Sequence, residues 1–409
     1  MALSRNTQPM PEETWLVDLH AHYPMHIIPN VHGRTNAIRA AWRLARFKAQ
    51  VIGLISLFLN YQGKGDTPGV RVPLMVDGRM AIAASVLYPP IDEFLPEYGE
   101  APDPASFDRL WEQLESVETD LNTFHDQAAI AYNGEQINAA REAGKIAFVH
   151  CVEGGLLIGA DVDQIARNVK RLADEKGILY ITPAHLFYRG IAAQAPALPF
   201  LSDKTYEDLF PIPDDVDGLT DLGRALVTAC VANGVLVDVT HMTERAIDVT
   251  LELIDQLDRD AGRDTPTPVI ASHIACRLSD VGLGYNLSER HIKAIADRGG
   301  VMGLINCPHY LSDADVKETR SRSESMSLVR THVDRICELT GSYESIALGT
   351  DLDGYCKPAL FAYEDERKMG LFQDDLVSAY GLDVARGICS RNALAVLKWR
   401  YPGLNDSAA

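Results

Sequence analysis

Short apolar runs rich in β-branched residues recur along the chain, and helix-period stretches lie between them. Eight runs read as strands: WLVDLHA (15–21), AIAASVLY (81–88), IAFVHCVE (146–153), ILYITPAH (178–185), VLVDVTH (235–241), PVIASH (268–273), GVMGLIN (300–306) and SIALGTD (345–351). Helical spacing of apolar positions appears over 120–144, 163–177, 219–234, 288–299 and 327–341. Alternating β and α units predict a parallel sheet, and eight of them predict a closed (β/α)8 TIM barrel. Gly144, Gly177, Gly234 and Gly299 fall where helices hand over to the next strand, as a C-terminal cap followed by a tight turn requires. Two segments break the repeat, 60–79 and 193–218, both rich in Pro, Gly and Asp. They read as long rim loops after strands, on one domain spanning 1–409.

Composition narrows the partners. The 409 residues are 46% hydrophobic, enough for a large core, and 38 basic against 57 acidic residues give a net charge of −19. Such a charge repels nucleic acid and anionic membrane surfaces. The start, MALSRNTQPMPEETW, carries no apolar core with a small-residue cleavage site, and VIGLISLFL (51–59) is too short for a bilayer. Seven singly scattered cysteines without C-x-x-C spacing suit reduced thiols. A soluble, cytoplasmic protein is the expectation.

The chemistry lies at the carboxyl ends of the strands, where a barrel of this kind carries its reactive groups. His20 and His22 are two apart at the first strand end, hence on one face. Glu153, His241, His273 and Asp351 end four further strands. One histidine in such a place is more often a hydrogen-bonding residue than a ligand. Four imidazoles and two carboxylates on one rim form a nitrogen and oxygen donor set suited to two divalent ions, Zn2+ first. Glu153, followed by Gly154 and Gly155, is the candidate bridge between them. His150 has the opposite parity to Glu153, and His26, His32, His125, His291, His309 and His332 fall in loops or helices. Asp18 has the parity of His20 and either orients a ligand or bonds neighbouring backbone, whereas Asp238 reads as structural.

The motifs DLHAH, VEGG, YITPAH, VDVTHMT, ASHIACR and GTDLDG, in this order from residue 18 to residue 354, resemble the membrane (renal) dipeptidase family, peptidase family M19, of the amidohydrolase superfamily. The likeness runs over nearly the whole chain. It implies a binuclear zinc site in which Glu153 bridges, His241 and His273 hold one ion, and His20, His22 and Asp351 hold the other. It further implies that His185 contacts the carbonyl oxygen of the scissile amide and that Arg277 binds the substrate's terminal carboxylate.

Two positions depart from the family pattern: His22 stands where an aspartate is usual, and Leu156 where a histidine is frequent. The first raises the site's charge by about one unit and bears on metal preference. The expected reaction is hydrolysis of a dipeptide or N-acyl amino acid by a metal-bridging hydroxide, with Asp351 taking and returning the proton. The alternatives are another amidohydrolase, such as an N-acyl amino acid deacylase, lactonase or deaminase, and a non-catalytic barrel that binds metal or a small ligand. Asp351 favours catalysis, because a binding protein needs no base beside its water. No nucleic acid or membrane partner is expected, and a homodimer is allowed.

Overall fold

The computed structural model describes residues 15–27, 68–94, 99, 101–199, 201–354 and 358–405. The run at 51–59, His32, Cys356 and residues 60–67 of the first predicted insertion lie outside them. Nine strands are described: β1 (Leu16–Ala21), β2 (Met80–Leu87), β3 (Ala128–Ile130), β4 (Ile146–Glu153), β5 (Tyr180–Thr182), β6 (Leu236–Asp238), β7 (Val269–Ile274), β8 (Met302–Leu304) and β9 (Ile346–Leu348). Eight of them form a ring of parallel neighbours in the order β1, β2, β4, β5, β6, β7, β8, β9. The ring closes where Asp18 of β1 pairs with Leu348 of β9. The architecture is a (β/α)8 TIM barrel.

Burial explains why these strands read as nearly unbroken apolar runs: helices cover the outside, side chains fill the inside, and neither face meets water. All eight residues of β4, IAFVHCVE, are buried. The polar residues that interrupt such runs, among them Asp18, His20, Glu153, Ser272 and His273, are therefore costly there and need a reason.

The outer helices follow ordinary rules. In Val162–Lys176 the buried Ile165, Val169 and Leu172 recur at helical spacing, and the Asp161 side chain accepts from Gln164 N at the N-terminus. Each such side chain stabilises by about 1.5–3 kcal/mol on burial. Gly177 ends this helix at φ 55°, and a Cβ there would lie 2.0 Å from Tyr132 O, so only glycine fits. The other three predicted cap glycines, Gly144, Gly234 and Gly299, also have positive φ.

Three expectations need correction. The segment 120–144 is not one helix: Ser106–Asn122 and Gly134–Glu142 are helical, and β3 lies between them. Asn133 caps the second helix by accepting from Gln136 N, and β3 pairs with Ile146–Phe148 of β4, which makes it a ninth strand beside the barrel. Within 60–79, Val72–Asp77 is a helix with Val72, Leu74 and Met75 buried, so this part returns the chain to β2 rather than forming a rim loop. The segment 193–218 does extend from β5 as a loop, but it contains the helix Asp203–Leu209. The six described cysteines are unpaired. Among the described residues no helix is long and apolar enough to cross a membrane.

Candidate metal centre

Each strand delivers its side chain to the same rim. His20 lies in β1 and His22 follows it, Glu153 ends β4, and His273 lies in β7. His185, His241 and Asp351 come three residues beyond β5, β6 and β9. His241 and Asp351 take left-handed backbone angles, φ 67° and 53°, which cost non-glycine residues energy and turn these side chains inward. All seven are nearly or fully buried.

Glu153 sits at the centre. Its Oε1 lies 3.3 Å from His20 Nε2, 3.3 Å from His241 Nε2 and 3.6 Å from His273 Nε2. Its Oε2 lies 3.5 Å from His22 Nε2 and 3.4 Å from His185 Nε2. Asp351 Oδ1 is 3.0 Å from His22 Nε2 and 3.8 Å from His20 Nε2. Burial alone would raise the Glu153 carboxyl, but the positive charge available on His185 and His20 holds it well below the usual carboxylate range. Three overlapping groups have ligand atoms within 4.8 Å of one another: His20, His22 and Glu153; His20, His273 and Asp351; Glu153, His241 and His273.

The donor set fits a cation. Both Glu153 oxygens are buried without a hydrogen-bond partner. The Nε2 atoms of His20 and His22 approach to 3.2 Å, and those of His241 and His273 to 3.0 Å. Lone pairs facing each other so closely repel unless a proton or a cation lies among them. The tautomers agree. Tyr180 donates to Leu19 O, so it accepts from His20 Nδ1–H at 2.7 Å. Ser272 donates to Asp238 Oδ2 at 2.6 Å, so it accepts from His273 Nδ1–H at 2.9 Å. In its neutral form each ring therefore turns an unprotonated Nε2 to the centre, as metal-binding imidazoles do.

Comparison with known proteins places the chain. The model of the membrane dipeptidase family, peptidase family M19, matches residues 4–400. The chain belongs to the membrane dipeptidase family. Among curated relatives, dipeptidase tcpJ of Claviceps purpurea is 21% identical over 300 residues, 72% of this chain and 61% of that protein. An uncharacterized protein from the pqqA 5' region of Klebsiella pneumoniae is 24% identical over 255 residues, 61% of this chain and 81% of that protein. Among solved structures, the M19 metallopeptidase called dipeptidase AC superposes with TM-score 0.65 at 18% identity, covering 97% of this chain and all of that one. A metallopeptidase of Rhodobacter sphaeroides, bound to a phosphinate mimic of the dipeptide L-Ala-D-Ala, gives 0.64 at 17% identity, covering 94% of this chain and 99% of that one.

In this membrane dipeptidase family member, a small pocket opens on the cluster, lined by His22, Glu153, His185, Leu186, Ala197, His241, His273, Tyr285, Tyr310 and Asp351. Arg277 is not among the residues that line it. Its guanidinium bonds Glu244 and the carbonyls of Leu283, Gly284 and Asn286 instead. Leu156, the second departure, is buried beside Gly154. Asp18 proves to be a backbone clamp, accepting from His20 N and Thr350 N at 3.0 Å each. Asp238 is more than scaffold, because it holds the Ser272 hydroxyl against His273 and, at 3.1 Å, His20.

Sequence reasoning missed Glu93. Buried in the short helix Ile91–Phe94 after β2, it accepts from His185 Nδ1 at 2.6 Å, Tyr88 Oη at 2.6 Å and Phe187 N at 2.9 Å. Burial would lower the His185 imidazole, but the Glu153 and Glu93 carboxylates raise it to about 9. An acidic residue just past a barrel strand, in PPIDEF (89–94), was the available signal. Gly354 was also missed as a site residue: a Cβ there would lie 1.9 Å from Asp351 Oδ1 and 2.9 Å from His22 Cδ2.

Proposed function

We propose that the protein is a metal-dependent hydrolase that cleaves the amide bond of a dipeptide or a similarly small amide. The observation that carries this reading is Glu153, a buried carboxylate with no hydrogen-bond partner, ringed by the Nε2 atoms of His20, His22, His241 and His273 with Asp351 beside them. Glu153 would be shared between two ions, His241 and His273 would hold one, and His20, His22 and Asp351 the other. The mixed imidazole and carboxylate set favours Zn2+. Bound there, the two ions supply Lewis acidity and make water acidic enough to attack near neutral pH.

The chain's own groups do the rest. Asp351 takes a proton from the attacking water and returns it to the leaving amine. His185, protonated on Nδ1 and Nε2 when it pairs with Glu93, donates a hydrogen bond to the carbonyl oxygen as negative charge develops there. Leu186, Ala197, Tyr285 and Tyr310 enclose the reacting bond and keep bulk water out. A cytoplasmic location belongs to the same reading, supported by the unpaired cysteines.

The test is metal content by elemental analysis, paired with hydrolysis of L,L- and L,D-dipeptides with and without added zinc. About two metals per chain and metal-dependent cleavage are expected. Asp351→Asn should abolish turnover and keep most of the metal. Full activity in that variant, or no cleavage of any amide by the zinc-loaded protein, would sink the assignment.

A further inference from the structure

Beneath the proposed ligands lies a buried acid outside the ligand set. Building on the hydrolase reading and its two ions, we propose that Asp238 is a positioning residue: it sets the direction of the hydrogen bonds that turn the Nε2 lone pair of His273 towards the metal.

Asp238, in β6, is fully buried, and so are Thr182, Thr240 and Ser272 around it. An ionised carboxylate is costly in a barrel interior, and five hydrogen bonds meet this one. Its Oδ1 accepts from Thr240 N at 3.0 Å, Thr240 Oγ1 at 2.7 Å and Ser272 N at 2.9 Å. Its Oδ2 accepts from Thr182 Oγ1 at 2.7 Å and Ser272 Oγ at 2.6 Å. These bonds tie β6 to β5 and β7. Tying strands requires the shape and the bonds, but not the charge.

What the charge adds is direction. A carboxylate only accepts, and a hydroxyl has one proton to give. Ser272 gives its proton to Oδ2, so its lone pairs face the imidazoles, 2.9 Å from His273 Nδ1 and 3.1 Å from His20 Nδ1. Each ring then meets the serine as an N–H donor. His20 has a second support, because Tyr180 Oη accepts from its Nδ1 at 2.7 Å and gives its own proton to Leu19 O. For His273 the Ser272 hydroxyl is the Nδ1 partner among the described residues.

Asparagine at 238 separates direction from tying. The backbone N–H groups of Thr240 and Ser272 can only donate, so the amide oxygen must replace Oδ1 and the NH2 group must replace Oδ2. Its two N–H bonds then face two hydroxyls, Thr182 and Ser272, and both can turn to accept. All five contacts survive, two of them reversed. Ser272 must now place its proton elsewhere. His273 Nδ1 lies at 2.9 Å, against 3.5 Å for Thr240 Oγ1, and His20 Nδ1 already carries a proton. A neutral imidazole that accepts at Nδ1 holds its proton on Nε2, where the ion would bind.

The experiment is chelator competition for zinc on the zinc-loaded full chain in wild type, Asp238→Asn, Ser272→Ala and the double variant, with melting temperatures. Asp238→Asn should stay folded and hold its weaker zinc ion about 10- to 100-fold less tightly than wild type. Because the effect passes through the Ser272 hydroxyl, the double variant should match Ser272→Ala within about three-fold. Losses that multiply in the double variant, affinity in Asp238→Asn within about three-fold of wild type, or failure of that variant to fold would each overturn the proposal. Nitrogen-15 spectra of the histidine side chains in metal-free wild type give a check that needs no change at 238. His273, assigned by the signal lost in His273→Gln, should carry its proton on Nδ1, and a neutral ring protonated on Nε2 overturns the proposal as well. None of these readouts involves cleavage, so a zinc-loaded wild type that hydrolyses no amide would strike the hydrolase reading alone.

Discussion

Gly354→Ala adds one methyl group at the place where two proposed ligands meet. The new Cβ would lie 1.9 Å from Asp351 Oδ1, 2.7 Å from its Cγ and 2.9 Å from His22 Cδ2. Non-bonded heavy atoms settle at roughly 3.5 Å, so Oδ1 must retreat by more than about 1 Å. The backbone cannot share the movement cheaply, because Asp351 N is bonded to His20 O at 2.9 Å and Gly354 N to Asp351 O at 3.1 Å. Asp351 therefore swings its carboxylate away from His22 Nε2, now 3.0 Å distant. Relief through one terminal carboxylate keeps the folding cost near about 1 kcal/mol, the low end of overpacking. A displacement of about 1 Å at a reacting group costs about 100-fold in rate. The assay is kcat/KM on the best dipeptide at fixed zinc, with metal content and melting temperature measured on the same preparation. The expected pattern is a large loss of turnover in a protein that remains folded. Activity within about three-fold of wild type would show that Asp351 need not stand where this geometry puts it, and the base assignment would fall.

Three further outcomes are expected. Glu93→Gln replaces the acceptor for His185 Nδ1 and should lower kcat by about 10- to 100-fold while KM changes little, measured by full saturation curves. Ser272→Ala removes the acceptor that sets the His273 tautomer and should weaken zinc binding by about 10- to 100-fold in chelator competition; unchanged affinity would contradict the tautomer argument. Glu118 tests pH dependence away from the site: burial would raise its carboxyl, but His150 at 3.6 Å and hydrogen bonds from Lys176 and Tyr132 lower it to about 2 from 4.5. Its folded pKa is depressed, so its stabilisation is complete above about pH 4.5 and is lost as pH falls towards 2. After discounting for solvent screening, Glu118→Gln should cost about 1.5 kcal/mol at pH 7 in urea unfolding, and the difference should shrink below pH 4.5.

The barrel was legible because strands buried on both faces must be written as apolar runs, and the glycines that end helices must sit at positive φ whatever the surroundings. The same economy exposed the site, since a histidine or glutamate inside such a run, as in WLVDLHA or IAFVHCVE, has no cheap structural excuse. What escaped was set by pairing rather than by pattern. β3 is three residues long and exists because β4 offers its first residues as a partner, a contact that the periodicity of 120–144 cannot encode.

Glu93, Ser272 and Gly354 escaped for a related reason: each acts on a residue brought to it by the fold, from 92, 1 and 3 positions away in sequence respectively. Arg277 shows a different dependence. A motif match can carry a role to a position, but the role also requires free N–H groups facing the substrate. Here the loop at 278–287 and Glu244 hold four of the five N–H groups of Arg277. Metal ligands are legible because the strand ends that carry them are fixed by the barrel. Substrate contacts are built on loops, whose internal hydrogen bonds decide which donors remain, and that accounting becomes available only once the loop is folded.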